Sequence, residues 1–223
     1  MSKPTFRRIV AYIIDLLIVS LISAAIATLP MFKTQYKKYE DSTNKYYDLL
    51  EEVRKDPTKA SALLNDDTMQ AAIYETNKSG VFISIITVVV SILYFVVFQY
   101  KTNGKTGGKA LLKIEVAASD DKRLKLSHIV IRSLIVNRLL SSTIGILTIC
   151  FLSKSAYISF NSYFEVIELG VMLLTFGMIL YNENGQGLHD KLAHTQVILS
   201  EEREYFYKHN KKVKDAKVVK EEK

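Results

Sequence analysis

The stretch "IVAYIIDLLIVSLISAAIATL", residues 9–29, decides what kind of molecule this is. Its only charge is Asp15. As a helix it reaches across a hydrocarbon core of about 30 Å. A water-soluble helix of that length would mix polar residues in at helical spacing, and this one does not. A second block, "VFISIITVVVSILYFVVFQY", residues 81–100, has no charge at all. A third, "IVIRSLIVNRLLSSTIGILTICFL", residues 129–152, carries Arg132 and Arg138. Its uncharged part is short for a full crossing, so we expect a helix that starts at the interface, with Arg132 snorkelling to headgroups, and then crosses. A fourth, "YFEVIELGVMLLTFGMILY", residues 163–181, has Glu165 and Glu168 near one edge and Tyr163, Phe164 and Tyr181 as interfacial aromatics.

Charge between the blocks sets an orientation. Lys3, Arg7 and Arg8 precede block one, and Lys and Arg are dense between blocks two and three and after block four. Only Lys154 lies between blocks three and four. Basic segments stay in the cytoplasm, so four spans with both termini inside satisfy the pattern. Residues 30–80 are then external. They are polar, and "DPTKASALLNDDTMQAAIYETNKSG" reads as a helix opening after Pro57 and ending by Gly80. A helical hairpin and extended membrane helices both fit this loop.

The net charge of +7 fits nucleic acid or anionic lipid, and the apolar blocks decide for a lipid bilayer with anionic headgroups. Cys150 is the single cysteine, so no intrachain disulfide framework is possible. Arg7-Arg8, the apolar run and "AIA" at 25–27 have the look of a cleavable signal peptide, but Asp15 within the run, its length and the multispan chain that follows argue against cleavage. The segment "YKTNGKTGGKALLKIEV", residues 100–116, invites a nucleotide-binding reading. Its glycine spacing fails the phosphate-loop pattern, and no Ser or Thr follows Lys109. His128, His189, His194 and His209 are too scattered for a metal site. No cofactor is expected, and no nucleophile–base arrangement suggests an enzyme.

Asp15 is the anomalous residue. At its depth a carboxylate costs ~2.5–3.5 kcal/mol on insertion scales, so it must be protonated, paired or hydrated. Arg8 lies on the same helical face but ~10 Å away along the axis, too far for a direct bond. A third group, Arg132 or Arg138, is expected between them, and Asp190 is expected to meet Arg8 at the cytoplasmic edge.

Four segments, "FRRIVAYIID" at 6–15, "GKTGGKALLKIEV" at 104–116, "LKLSHIVIRSLI" at 124–135 and "GLHDKLAHTQVI" at 187–198, resemble in order the motifs of the RDD family of bacterial membrane proteins. The resemblance places the family's arginine and two aspartates at Arg8, Asp15 and Asp190. It leaves out residues 30–80 and everything after Ser200. Gly107 stands where the family has a bulky residue, and His194 where it has glycine. The resemblance implies a multispan integral protein of the cell membrane with a proposed part in transport, some members being linked to cation–proton exchange.

The fold expected is an all-α membrane protein. It is a four-span transmembrane bundle over 1–200, with a polar helical external loop at 30–80, a small cytoplasmic β-hairpin and a basic cytoplasmic tail at 201–223. In the glycine segment, Gly104, Gly107 and Gly108 are expected to allow positive φ and close packing. Lys101, Lys105, Lys109 and Lys113 would face headgroups from one side. "LLKIEVAASDDKRLKLS" alternates and suggests the hairpin, to which "TQVILS" adds a strand. Two functions remain open. One is a transporter, a homo-oligomer exchanging a proton for a monovalent cation at Asp15 within a charge network of Arg8, Arg132, Arg138 and Asp190. The other is a non-transporting scaffold or accessory protein whose buried charges pin helices together.

Overall fold

The computed structural model describes residues 4–56, 66–119, 123–182 and 184–208. Helix α1 covers Thr5–Ala27, α2 Lys33–Lys55 and α3 Asp67–Ser79. Helix α4 runs Val81–Lys101, α5 covers Gly107–Leu111, and strand β1 Ile114–Ala118 follows. Helices α6 Leu126–Val136, α7 Leu139–Phe151 and α8 Lys154–Tyr181 come next, then α9 Leu188–Leu192 and strand β2 Thr195–Leu199.

Three helices, α1, α4 and α8, are long and apolar enough to cross a membrane. A fourth crossing exists if α6 and α7 count as one span. Their surfaces agree with that reading: Leu21 is 70% exposed, Phe151 81% and Val166 69%, which in water would be an inverted protein. Block three is therefore not one helix. It breaks at Asn137–Arg138 with a 60° bend, and Arg138 takes a positive φ of 54°. Block four begins earlier than its apolar core, at Lys154, because nothing in residues 154–162 stops a helix.

The chain divides into two compact units. One is formed by Ser20–Val90 and Leu140–Glu168. In it α2 and α3 pack together as a helical hairpin, with the Thr76 hydroxyl donating to Ser42 O at 3.1 Å. The helix expected after Pro57 is described only from Asp67, and residues 57–65 lie outside the described residues. Helix α2 is one arm of the helical hairpin that fitted this loop; its apolar positions are mostly tyrosines, and it buries no residue. Tyr74 and Tyr157 meet edge-on, and Asn77 Nδ2 donates to the Tyr157 hydroxyl at 3.1 Å.

The other unit is formed by Met1–Val19, Ser91–Leu139 and Leu169–Lys223. Here α4 contains a π-helical turn, Leu93–Phe98. Such a turn leaves room for a side chain to reach the backbone, and the Ser133 hydroxyl donates to Phe95 O at 3.3 Å. The expected hairpin is corrected. Beyond the described end of β1 the chain is helical again from Leu126, and β1 instead pairs antiparallel with β2, Val116 opposite Val197. Side chains alternate across β1. Ile114, Val116 and Ala118 join Ala11, Val96, Ile129 and Val197 in one core, while Ala117 joins Ile198 and Phe206 on the other face. Phe206 is 2% exposed, so the stretch just beyond Ser200 packs into this unit. Residues 209–223 lie outside the described residues.

Candidate functional site

Two carboxylates with no solvent exposure, Asp15 and Asp190, organise this second unit. Asp15 projects from the middle of α1. Its Oδ1 accepts from the Tyr94 hydroxyl at 2.7 Å and from Gly108 N–H at 2.8 Å. Its Oδ2 accepts from the Thr106 hydroxyl, and Lys109 Nζ lies 3.6 Å away. Gly107 N–H donates to the Tyr94 oxygen at 2.9 Å, and Lys109 Nζ donates to Thr106 Oγ1 at 3.1 Å. The glycine segment is thus an anion cradle after all, built of the Gly108 N–H, the Thr106 hydroxyl and a lysine. The anion is the protein's own carboxylate.

Each glycine in the cradle does something different. Only Gly104 has the positive φ expected of all three, at 90°, and a Cβ there would lie 2.2 Å from Val116 O. Gly108 is needed for contact: a Cβ would lie 2.2 Å from Ala11 O and 2.9 Å from Asp15 Oδ1. At Gly107 the nearest atom is the Tyr94 oxygen, 2.8 Å away. The four lysines do not line one side towards headgroups. Lys109 turns inward to Asp15, Lys105 pairs with Glu115 at 3.3 Å, and Lys113 leaves the helix with φ 54°. Burial pulls the Lys109 ammonium down to about 8, Asp15 resisting and Arg132 and Arg8 adding to the fall.

Asp190 sits in the first turn of α9, where Gly187 N–H donates to its Oδ2 at 3.2 Å. Arg8 Nη2 lies 2.5 Å from the same oxygen, and Arg8 also donates to Gly185 O. Arg132 pairs with Oδ1, and the Thr195 hydroxyl donates to that oxygen at 3.3 Å. Arg132 is 5% exposed and does not snorkel, because α6 lies against α9 and its guanidinium is taken up by the Asp190 carboxylate. His189 is 1% exposed with Nε2 3.3 Å from Asp190 Oδ2. Burial, with Arg132, Arg8 and Lys109 adding, holds its pKa far below the ordinary imidazole value, so the ring is neutral.

Of the residues expected in the network, Arg8, Arg132 and Asp190 come together, and Asp15 is held separately by the cradle. The cation beside Asp15 is Lys109. Arg138 marks the helix break, where its charge acts on Tyr12. Sequence reasoning missed Tyr94, Thr106, Lys109 and Thr195. A signal existed for Tyr94: it lies between Ser91 and Gln99, two polar residues of the second block that are both buried.

The model of the RDD family matches residues 3–194. The chain belongs to the RDD family. RDD proteins are membrane proteins, which agrees with the apolar, outward-facing helices. No curated protein matches the chain, and no solved structure matches it. The family match ends at His194, in the turn before β2. His194 has φ 48°, a left-handed conformation that glycine adopts without the cost of a Cβ. His194→Gly is accordingly expected to raise stability by about 0.5–1 kcal/mol, read as a higher unfolding midpoint in detergent.

Proposed function

We propose that this RDD protein is a multi-pass carrier of the cell membrane, not an enzyme, with both termini in the cytoplasm. It exchanges a proton for a monovalent cation, and Asp15 is the group that carries them. The observation behind this reading is a carboxylate with no solvent exposure inside an apolar helix, ringed by hydroxyl oxygens and an ammonium. Ionisable groups at such depth are expensive and mark ion or proton paths. Three of the groups on Asp15, from Thr106, Gly108 and Lys109, come from a segment between spans. They can withdraw and return without moving a span. Three or four spans enclose little, so a homo-oligomer is part of the proposal.

Proton-coupled cation flux in proteoliposomes tests it. The wild-type protein should carry cations down an imposed pH gradient, and Asp15→Asn should fall to the level of protein-free vesicles. Equal flux through wild type and Asp15→Asn would remove the reading.

A second reading is favoured by the filled hydrogen-bonding capacity of Asp15, which accepts three hydrogen bonds besides its ion pair. On that reading the protein is a non-transporting scaffold. Asp15→Asn then lowers yield and stability, and the wild type itself carries no flux.

A further inference from the structure

Glu115 is a third deeply buried carboxylate, and the reading above gives it no part. It lies on β1, 1% exposed, on the face that Phe206 helps to cover. One oxygen is 3.3 Å from Lys105 Nζ and the other 3.0 Å from Arg203 Nε. Lys105 directly precedes Thr106, the residue that donates to Asp15. Arg203 belongs to the segment after β2, beyond the family match. Ser200 N–H donates to Lys113 O at 2.9 Å, and Phe206 is packed against Ala117 and Ile198.

We propose that Glu115 is a positioning residue: through Lys105 and Arg203 it fastens the segment 200–208 to the cradle and so holds Thr106, Gly108 and Lys109 on Asp15.

The physical reason is the charge balance at β1. A carboxylate buried to this degree needs its cationic partners, and removing one leaves the other to carry the whole compensation. Lys105 and Arg203 are each more than a third exposed at the side chain. Neither alone serves both oxygens of Glu115: Lys105 meets one and Arg203 the other. Without Arg203 the carboxylate would seek water, and the strand edge and the turn at Gly104 would follow it. Val116 N–H donates to Gly104 O at 3.0 Å, so a shift of β1 is passed directly to the residues before Thr106. The role rests on the carrier reading only for its consequence in transport. The fastening itself is a statement about structure.

Amide hydrogen exchange on the full-length protein in detergent separates these. In Glu115→Gln and in Arg203→Ala, the Gly107, Gly108 and Lys109 amides should exchange about tenfold faster or more, as expected for local opening. Amides of α2 and α3 should be unchanged, and Arg203→Lys should restore most of the protection. In vesicles the same variants should raise the cation concentration for half-maximal flux more than they lower maximal flux. Unchanged protection at 107–109 in both variants overturns the proposal. So does equal loss of protection in both units, which would mean general destabilisation. If the amides respond as expected but the wild type moves no cation, the fastening stands and the carrier reading falls.

Discussion

Arg132→Ala should cost about 3–5 kcal/mol of stability, the range for removing one partner from a buried ion pair. Typical folds hold only about 5–15 kcal/mol in total, so the variant should lose a large share of that margin and unfold at a clearly lower midpoint. The size follows from position. Arg132 and Asp190 have side chains 6% and 0% exposed, so no water replaces the lost guanidinium. Arg8 still reaches Asp190 Oδ2, but Oδ1 keeps only the Thr195 hydroxyl. The contact between α6 and α9 loses its polar anchor. Arg132→Lys should recover only part of the loss, because an ammonium is more strongly hydrated than a guanidinium and costs more to bury beside Asp190. Unfolding midpoints in detergent, with size-exclusion profiles to count folded protein, measure this. A variant within about 1 kcal/mol of wild type would show that the pair is solvated in practice.

Gly108→Ala is the second large effect. The added methyl would lie 2.2 Å from Ala11 O, a backbone atom of α1 that no rotamer change can move. Overpacking of this kind costs ~1–3 kcal/mol. The loop must also lift from α1, which breaks the Gly108 N–H hydrogen bond to Asp15, and a hydrogen bond to a charged group is worth about 1.5–3 kcal/mol. We expect a total of about 3–5 kcal/mol. Gly107→Ala should be milder, since the methyl meets the end of the Tyr94 side chain and that ring can shift. Gly145→Ala has nothing within 4 Å and should be neutral or slightly stabilising in its helix. That ranking is checked by thermal unfolding of the three variants side by side.

The membrane character was legible because hydropathy is a local sum. Blocks one, two and four are long runs whose own residues settle that they avoid water. Block three resisted because its arginines obey a distant demand. Arg132 faces Asp190, and the chain turns sharply at Asn137–Arg138 to let α6 lie against α9. The glycine segment shows the same division. Its spacing ruled out a phosphate loop, but nothing in it says that the anion it holds is Asp15, more than ninety positions away for Gly108. The alternation in 114–118 announced a strand, and the nearest alternating run was the wrong partner. Residues 195–199 won because their apolar side chains, Val197 above all, complete the core that Ile114 and Val116 begin.

By itself, then, the order of residues determined which segments leave water, that Asp15 is out of place among them, and which family the motifs follow. Only the tertiary structure decided what neutralises each buried charge: Lys109, Tyr94, Thr106 and Gly108 at Asp15, Arg8 and Arg132 at Asp190, Lys105 and Arg203 at Glu115. The reason is one of range. Transfer from water is settled residue by residue along a helix, whereas a charge without water is satisfied only by whatever group the packed chain brings within a few ångströms.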